Sequence, residues 1–161
     1  MTSWFRRGHD AAPQPPPPPD PDAPDVLLAR LWELVQMVNS SSGRLPGDAL
    51  VLARLATDTI REVIETSADR ELDAHAVSQI NGMIGDYLPT TLRTYLALDP
   101  AVVDRPLPTG RTPRAVLREQ LDALLGAATD LLAATKAHDV DALLAQGAFL
   151  RTKFTRSDLD L

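Results

Sequence analysis

Cysteine is absent from the 161-residue sequence, and aromatic residues make up only 4% of it. Without cysteine, the chain has no disulfide framework, no thiolate zinc site and no cysteine nucleophile. Because aromatics are scarce, the interior must be built mainly from Leu, Val, Ile and Ala, which fill a helical bundle without polar atoms that need partners. The missing cysteine fits a reducing compartment, and we expect a cytoplasmic protein.

Long apolar runs and an excess of positive charge are missing as well. No segment approaches the roughly 18 consecutive apolar residues that can cross a bilayer. The formal net charge of −6 opposes attraction to phosphate backbones and to anionic lipid. We therefore expect neither a membrane span nor nucleic-acid binding. The start, Trp4-Phe5-Arg6-Arg7, is not followed by an apolar segment, so we expect no export signal, and only marginal contact with a membrane surface.

Proline is concentrated at the N-terminus. Eight of the 14 prolines lie in the first 24 residues, including the run Pro15 to Pro19. Since proline fixes φ and has no N–H to donate, this stretch favours an extended polyproline-II conformation and cannot form a core. We predict a disordered proline-rich tail at 1–24 and one helical domain at 25–161. The tail is interpreted as a spacer or tether, with a ligand for a proline-binding domain as the alternative.

Apolar residues at spacings of three and four predict an all-α fold, a single antiparallel bundle of four to five helices. The first helix is expected from about Asp25, as its N-cap, to Ser41, and the second from about Pro46 to Ser67. The predicted buried residues of the first helix are Leu27, Leu28, Leu31, Leu34, Val35 and Val38, with Trp32 and Met37 widening the apolar surface; those of the second are Leu52, Leu55, Ala56, Thr59, Ile60 and Val63.

The third segment, from about Asp73 to Leu98, keeps its helical phase although Pro89 stands in the middle. Proline supplies no N–H for the carbonyl of Gly85 and pushes Leu88 away from α geometry, so we predict a kink at residues 85–89. Gly82 and Gly85 remove bulk there, which lets another helix or a ligand approach the backbone. The apolar stripe predicted for this segment is Ala76, Ile80, Met83, Ile84, Tyr87, Leu88, Leu92, Tyr95 and Leu96.

Helical structure should stop in the proline-containing loop at 99–112 and restart at Thr112, an N-cap followed by Pro113 at the first helical position. The next apolar stripe contains Leu117, Leu121, Leu124, Ala128, Leu131 and Thr135. The apolar phase shifts near His138 to Asp141, where we expect a bend or short turn. Periodicity leaves open whether the last helix, with Leu150 and Phe154, is separate or continuous with the preceding one.

Fixed spacings that mark phosphate loops, zinc-binding helices and hydrolase elbows do not occur. Three histidines, His9, His75 and His138, each have an acidic neighbour. An acidic helix start explains His138 with Asp139 and Asp141 better than a metal site does. The basic cluster of Arg111, Arg114 and Arg118 is interpreted as a solvated face, with an anion or protein partner as the alternative. We therefore expect no catalytic constellation, no metal site and no cofactor.

The kinked third helix is where we place a candidate interaction surface. It combines glycines, a carboxylate, tyrosines and threonines next to a disturbed backbone, although a structural kink stabilised by threonine hydroxyls would give the same pattern. The candidate residues are Gly82, Gly85, Asp86, Tyr87, Pro89, Thr90, Thr91, Arg93 and Tyr95.

The run from Ile84 to Tyr95, IGDYLPTTLRTY, resembles the "YLPTTLKLL..Y" segment of bacterial XpaC-type proteins, a family named for hydrolysis of a bromo-chloro-indolyl phosphate and grouped with TelA-type toxic-anion resistance proteins. The run from Phe149 to Phe154 looks like the closing helix of such proteins. This resemblance implies a helical cytoplasmic protein of bacterial origin, linked to envelope or toxic-anion stress. It carries no catalytic residues onto this chain.

The sequence thus favours a non-enzymatic helical adaptor that binds a protein partner through the kinked helix. Two alternatives remain open: a phosphoester hydrolase of the XpaC type, and a peripheral adaptor that contacts membrane surfaces through residues 4–7. Self-association into a homo-oligomer also remains open.

Overall fold

The computed structural model describes residues 20–67 and 73–157, with side chains described through His138 and then for Val140, Asp141 and Leu144. The predicted tail at 1–24, including Trp4 to Arg7 and His9, therefore lies almost entirely outside the described residues. Within them the regular structure is all helical, which confirms the predicted fold class. The elements are α1 (Pro24–Ser40), α2 (Gly47–Thr66), α3 (Ala74–Gly82), a π-helical turn (Met83–Tyr87), α4 (Leu88–Leu96) and α5 (Pro113–Ser157).

The helices form a bundle in which α2 runs opposite to α1, and α5 runs opposite to the continuous segment made of α3, the π turn and α4. Helix α2 packs against α1 and, more extensively, against α5; α4 also packs against α5, and the π turn packs against α1. At one end, Arg44 in the α1–α2 loop donates a hydrogen bond to the carbonyl oxygen of Leu96 at the end of α4. The C-terminal ends of α1 and α4 therefore lie together, and the connections at 41–46 and 97–112 return α2 and α5 in the opposite direction.

The core contains aliphatic side chains from every helix. Leu31, Ile84 and Leu121 are all buried, as their helical phase predicts. Fully burying a Leu or Ile side chain contributes about 1.5–3 kcal/mol, so this shared core is the main source of stability of the bundle. The largest fully buried side chains are Leu27, Leu31, Val38, Thr57, Ile60, Val63, Ile64, Ile80, Leu88, Leu92 and Leu121.

The N-cap of helix α1 lies two residues earlier than predicted. Asp25 was expected as the N-cap, but Ala23 occupies that position in extended conformation, and Pro24 is the first helical residue. The fixed φ of proline fits the first helical position, where its missing N–H has no intrahelical acceptor. Trp32 was expected to widen the buried surface, yet it is 60% exposed, whereas Met37 packs against the core. Helix α1 therefore buries a narrower stripe than predicted.

The buried face of α2 is rotated relative to the prediction. Leu55 was expected in the core but is 47% exposed, while Ala53 and Thr57 are buried. Because α2 packs on both α1 and α5, the small side chains at Ala49 and Ala53 face its neighbours and let the helices approach closely. The buried hydroxyl of Thr57 is satisfied by donating to the carbonyl oxygen of Arg54 at 2.9 Å.

The predicted kink takes the form of the π-helical turn at Met83–Tyr87. Leu88 was expected outside α geometry, but it has φ −68° and ψ −48°, and its N–H donates to the carbonyl oxygen of Met83, five residues earlier. The wider turn accommodates the ring of Pro89, the second residue of α4, whose nitrogen carries no hydrogen to donate to the preceding turn. The extra residue in the turn shifts the helical phase. Tyr87 is consequently 58% exposed instead of buried, and Leu88 and Leu92 face the core.

Helix α5 starts as predicted and then continues further than predicted. Thr112 Oγ1 accepts a hydrogen bond from the Ala115 N–H at 3.2 Å, so Thr112 is the N-cap. The expected bend at His138 to Asp141 is wrong, because a single helix of 45 residues runs through it. Residues 127–146 contain neither proline nor glycine, so the shift in apolar phase alone does not interrupt the backbone hydrogen bonds.

No helix in the part of the chain that the structure describes is long and apolar enough to cross a membrane.

Candidate interaction cleft

A cleft of about 380 Å³ lies between α1 and the segment formed by the π turn and α4. On α1, its lining residues are spaced by three, four and seven positions, which places them on one helical face. The lining residues are Arg30, Glu33, Leu34, Met37, Ile84, Gly85, Pro89 and Arg93.

The floor of the cleft is apolar and its rim is charged. Leu34, Ile84 and Pro89 are buried, and Met37 packs against the core, so these side chains offer a small apolar area beneath a lining whose accessible surface is mostly polar. The rim carries two guanidinium groups, from Arg30 and Arg93, and the carboxylate of Glu33. A floor of this kind contributes affinity by burying apolar surface, and charged groups at its edge select the orientation of what binds.

Arg30 is held in a fixed position at this rim. Its Nη1 donates to Oδ1 of Asn81, and Nδ2 of Asn81 in turn donates to Oδ1 of Asp22 at 2.8 Å. Its Nη2 lies over Gly85, where a Cβ would be only 2.9 Å from that nitrogen. The absence of a side chain at Gly85 therefore leaves the space that the guanidinium fills. The half-buried Arg30 is oriented before any partner arrives.

The candidate residues predicted from the sequence fall into three groups. Gly85, Pro89 and Arg93 line the cleft. Next to it, the exposed Asp86 accepts a hydrogen bond from the Thr90 hydroxyl at 3.1 Å. The third group lies elsewhere: Gly82 is covered by the ring of Tyr87, Thr91 is partly buried, and Tyr95, only 7% exposed, belongs to the core and not to the surface.

The contribution of α1 to this site was missed by the sequence analysis. Arg30 and Asn81 are 51 residues apart, and nothing in the spacing of either one indicates that they meet. One signal was present: Arg30, Leu34 and Met37 follow helical spacing beside the buried stripe of Leu27 and Leu31. An arginine in that phase lies at the edge of a helix–helix contact, where its stem can be buried while its charge stays at the surface.

The other predicted polar groups have local structural roles. Asp73 is the N-cap of α3 and accepts from the His75 backbone N–H at 2.6 Å, and the ring nitrogen Nε2 of His75 lies 2.6 Å from the Gln79 amide nitrogen. In the basic cluster, Arg111 pairs with Glu119 at 2.6 Å and Arg114 with Asp104 at 3.4 Å. These pairs support the interpretation of a solvated face. Among the described residues, no group of three or more His, Asp or Glu side chains is placed to hold a metal ion.

Comparison of the chain with protein-family models, with curated proteins and with solved structures gave no match. The resemblance to XpaC-type proteins at Ile84 to Tyr95 therefore stays a prediction. The structure gives that segment a definite conformation, since it contains most of the π turn and nearly all of α4.

Proposed function

We propose that this chain is a non-enzymatic interaction protein that binds a segment of a partner protein in the cleft between α1 and the π turn. The single observation that carries the proposal is the fixed guanidinium of Arg30, which lies over the bare backbone of Gly85 at the edge of an apolar floor. A polar group oriented in advance loses little conformational entropy when a partner binds.

The composition of the cleft supports a protein partner. Protein interfaces combine a hydrophobic centre with a polar rim, and they are enriched in arginine and methionine, both of which line this cleft. Methionine adapts its shape to different apolar side chains because it is unbranched and flexible. The π turn adds support, since short π-helical turns inside α-helices occur frequently at functional sites.

The cellular setting is part of the same proposal. We place the interaction in the cytoplasm, with the proline-rich N-terminal segment as a tether that leads into α1 beside the cleft. A link to envelope or toxic-anion stress rests on the resemblance at Ile84 to Tyr95 alone.

Selection from a displayed library of random peptides tests the proposal. Peptides selected on the full chain are synthesised, and their affinities are measured by fluorescence anisotropy. The test variant, Met37→Gln, keeps the length of the side chain but makes the floor polar. We expect it to weaken binding about tenfold, which corresponds to about 1.4 kcal/mol.

The matched control is Gln36→Met, which exchanges the same two residue types one position away, on the exposed side of α1. It should leave affinity unchanged, and circular dichroism should show both variants folded. A library that yields no binder, or binders that are insensitive to Met37→Gln, would reject the proposal.

A further inference from the structure

We infer that the partner segment is acidic: it carries an Asp or Glu side chain that binds the guanidinium of Arg30, next to an aliphatic side chain that lies on the floor of the cleft. This inference rests on the proposed function and specifies the chemistry of its partner.

The orientation of Arg30 is set by its neighbours. The guanidinium is planar and has five N–H donors, of which Asn81 engages the one on Nη1 that faces it. Asn81 is fixed in turn by Asp22, so the chain of three residues holds the guanidinium plane in place. Arg30 also lines the cleft, and the fork of remaining donors matches the two oxygens of a carboxylate.

Gly85 leaves the space that the Arg30 guanidinium occupies. A Cβ at this position would be 2.9 Å from Nη2 of Arg30, closer than carbon and nitrogen atoms normally approach, so the guanidinium would have to move. Glycine in a helical segment costs about 0.5–1 kcal/mol of stability relative to alanine. At Gly85 the lower helix stability is accompanied by space for the guanidinium of Arg30, which a larger residue would displace.

The lining of the cleft differs in charge from the molecule as a whole. Arg30 and Arg93 contribute two positive charges and Glu33 one negative charge, so the lining residues sum to +1 in a protein whose formal net charge is −6. Two carboxylates lie just outside the lining: Asp22, which accepts from Asn81, and Asp86, which accepts from Thr90. Gly85, beside Arg30, and Arg93 are eight residues apart, which corresponds to about 12 Å along a helix axis. Two acidic side chains of one partner segment can span that distance, with apolar side chains between them.

The experiment uses the peptides selected on the full chain. We expect Asp and Glu to be enriched among them beside Leu, Ile or Met. Arg30→Gln should weaken the best of these peptides at least tenfold, and Arg30→Lys should restore only part of the affinity because lysine cannot form the two-pronged contact. The control Arg61→Gln removes an arginine on α2 that pairs with Asp58 and should have no effect.

Two further variants separate positioning from general damage to the fold. Gly85→Ala should weaken binding of the acidic peptide, whereas Gly126→Ala, at a helical glycine with open space around it, should not. Asn81→Ala should also weaken binding of the acidic peptide. Combined with Arg30→Gln, it should cause no further loss of affinity, because Asn81 acts through Arg30.

The outcomes distinguish this inference from the proposed function. Selected peptides that lack acidic residues, and whose affinity depends on Met37 but not on Arg30, would overturn the inference and leave the proposed function in place. Peptides that are insensitive to both positions, or a selection that yields none, would overturn both.

Discussion

The ring of Tyr87 lies against the backbone of Gly82, so that a Cβ added to Gly82 would be 2.9 Å from Cε2 of that ring. The two residues are five positions apart, which is the hydrogen-bond spacing of the π-helical turn at Met83–Tyr87. The turn thus exposes Tyr87 at the surface, where its ring packs on the backbone of Gly82. Gly85, on the same turn, provides a similar opening for Arg30.

Alanine substitutions at two helical glycines test this contact. Gly126→Ala should raise the free energy of unfolding by about 0.5–1 kcal/mol, since it lies inside α5 with no atom near the new Cβ. Gly82→Ala should gain clearly less, because the tyrosine ring must move. Urea denaturation monitored by circular dichroism measures both. In a Tyr87→Ala background the gain at Gly82 should return, and equal gains in the native background would contradict the contact.

Truncation of a core leucine tests the position of α5. Leu121 is 0% exposed, so Leu121→Ala should lower the free energy of unfolding by about 2–5 kcal/mol through lost burial and the cavity left behind. Leu55→Ala is the matched control, because this leucine was expected in the core but is half exposed, and it should cost less than about 1 kcal/mol. A cost of about 2 kcal/mol or more for Leu55→Ala would mean that Leu55 is buried and that α2 has the orientation predicted from its sequence. A cost below about 1 kcal/mol for Leu121→Ala would mean that this face of α5 is not in the core.

The start of α5 depends on one hydroxyl group. Thr112→Ala removes the acceptor for the Ala115 N–H and should destabilise the protein by about 1 kcal/mol, as measured by thermal unfolding. Thr112→Ser keeps the hydroxyl and should restore most of the stability. A Thr112→Ala variant as stable as the native chain would show that the cap contributes nothing.

An ion pair between Lys136 and Glu62 connects α5 to α2 at the surface of the bundle. The Lys136 Nζ to Glu62 Oε1 distance is 2.6 Å, and both side chains are about half exposed. A double-mutant cycle with Lys136→Met and Glu62→Gln should give a coupling energy of about 0.2–1 kcal/mol that falls as salt is added. Zero coupling at low salt would show that the pair contributes nothing to stability and that the apolar contacts alone hold α5 against α2.

Local sequence was sufficient to predict the helices and most of the core. Leu31, Ile84 and Leu121 repeat at helical spacing with other aliphatic residues, and the structure buries all three. The start of α5 could also be predicted from local sequence, because Thr112 suits the N-cap and Pro113 the first helical position whatever lies around them. Such features depend on residues within a turn or two of one another, so the linear order of residues determines them.

Only the tertiary structure decided the phase and contacts of particular side chains. Whether Leu55 or Ala53 faces inward depends on which neighbours α2 contacts, and Tyr87 is exposed because the π turn adds one residue to the helical phase. The cleft forms where α1 meets the π turn and α4, and Arg30 at its edge is oriented by Asn81, 51 residues away in the chain. Helical periodicity shows which face of each helix is apolar; packing against other helices determines which residues at the edges of those faces meet, and here it placed a fixed positive charge beside a bare glycine.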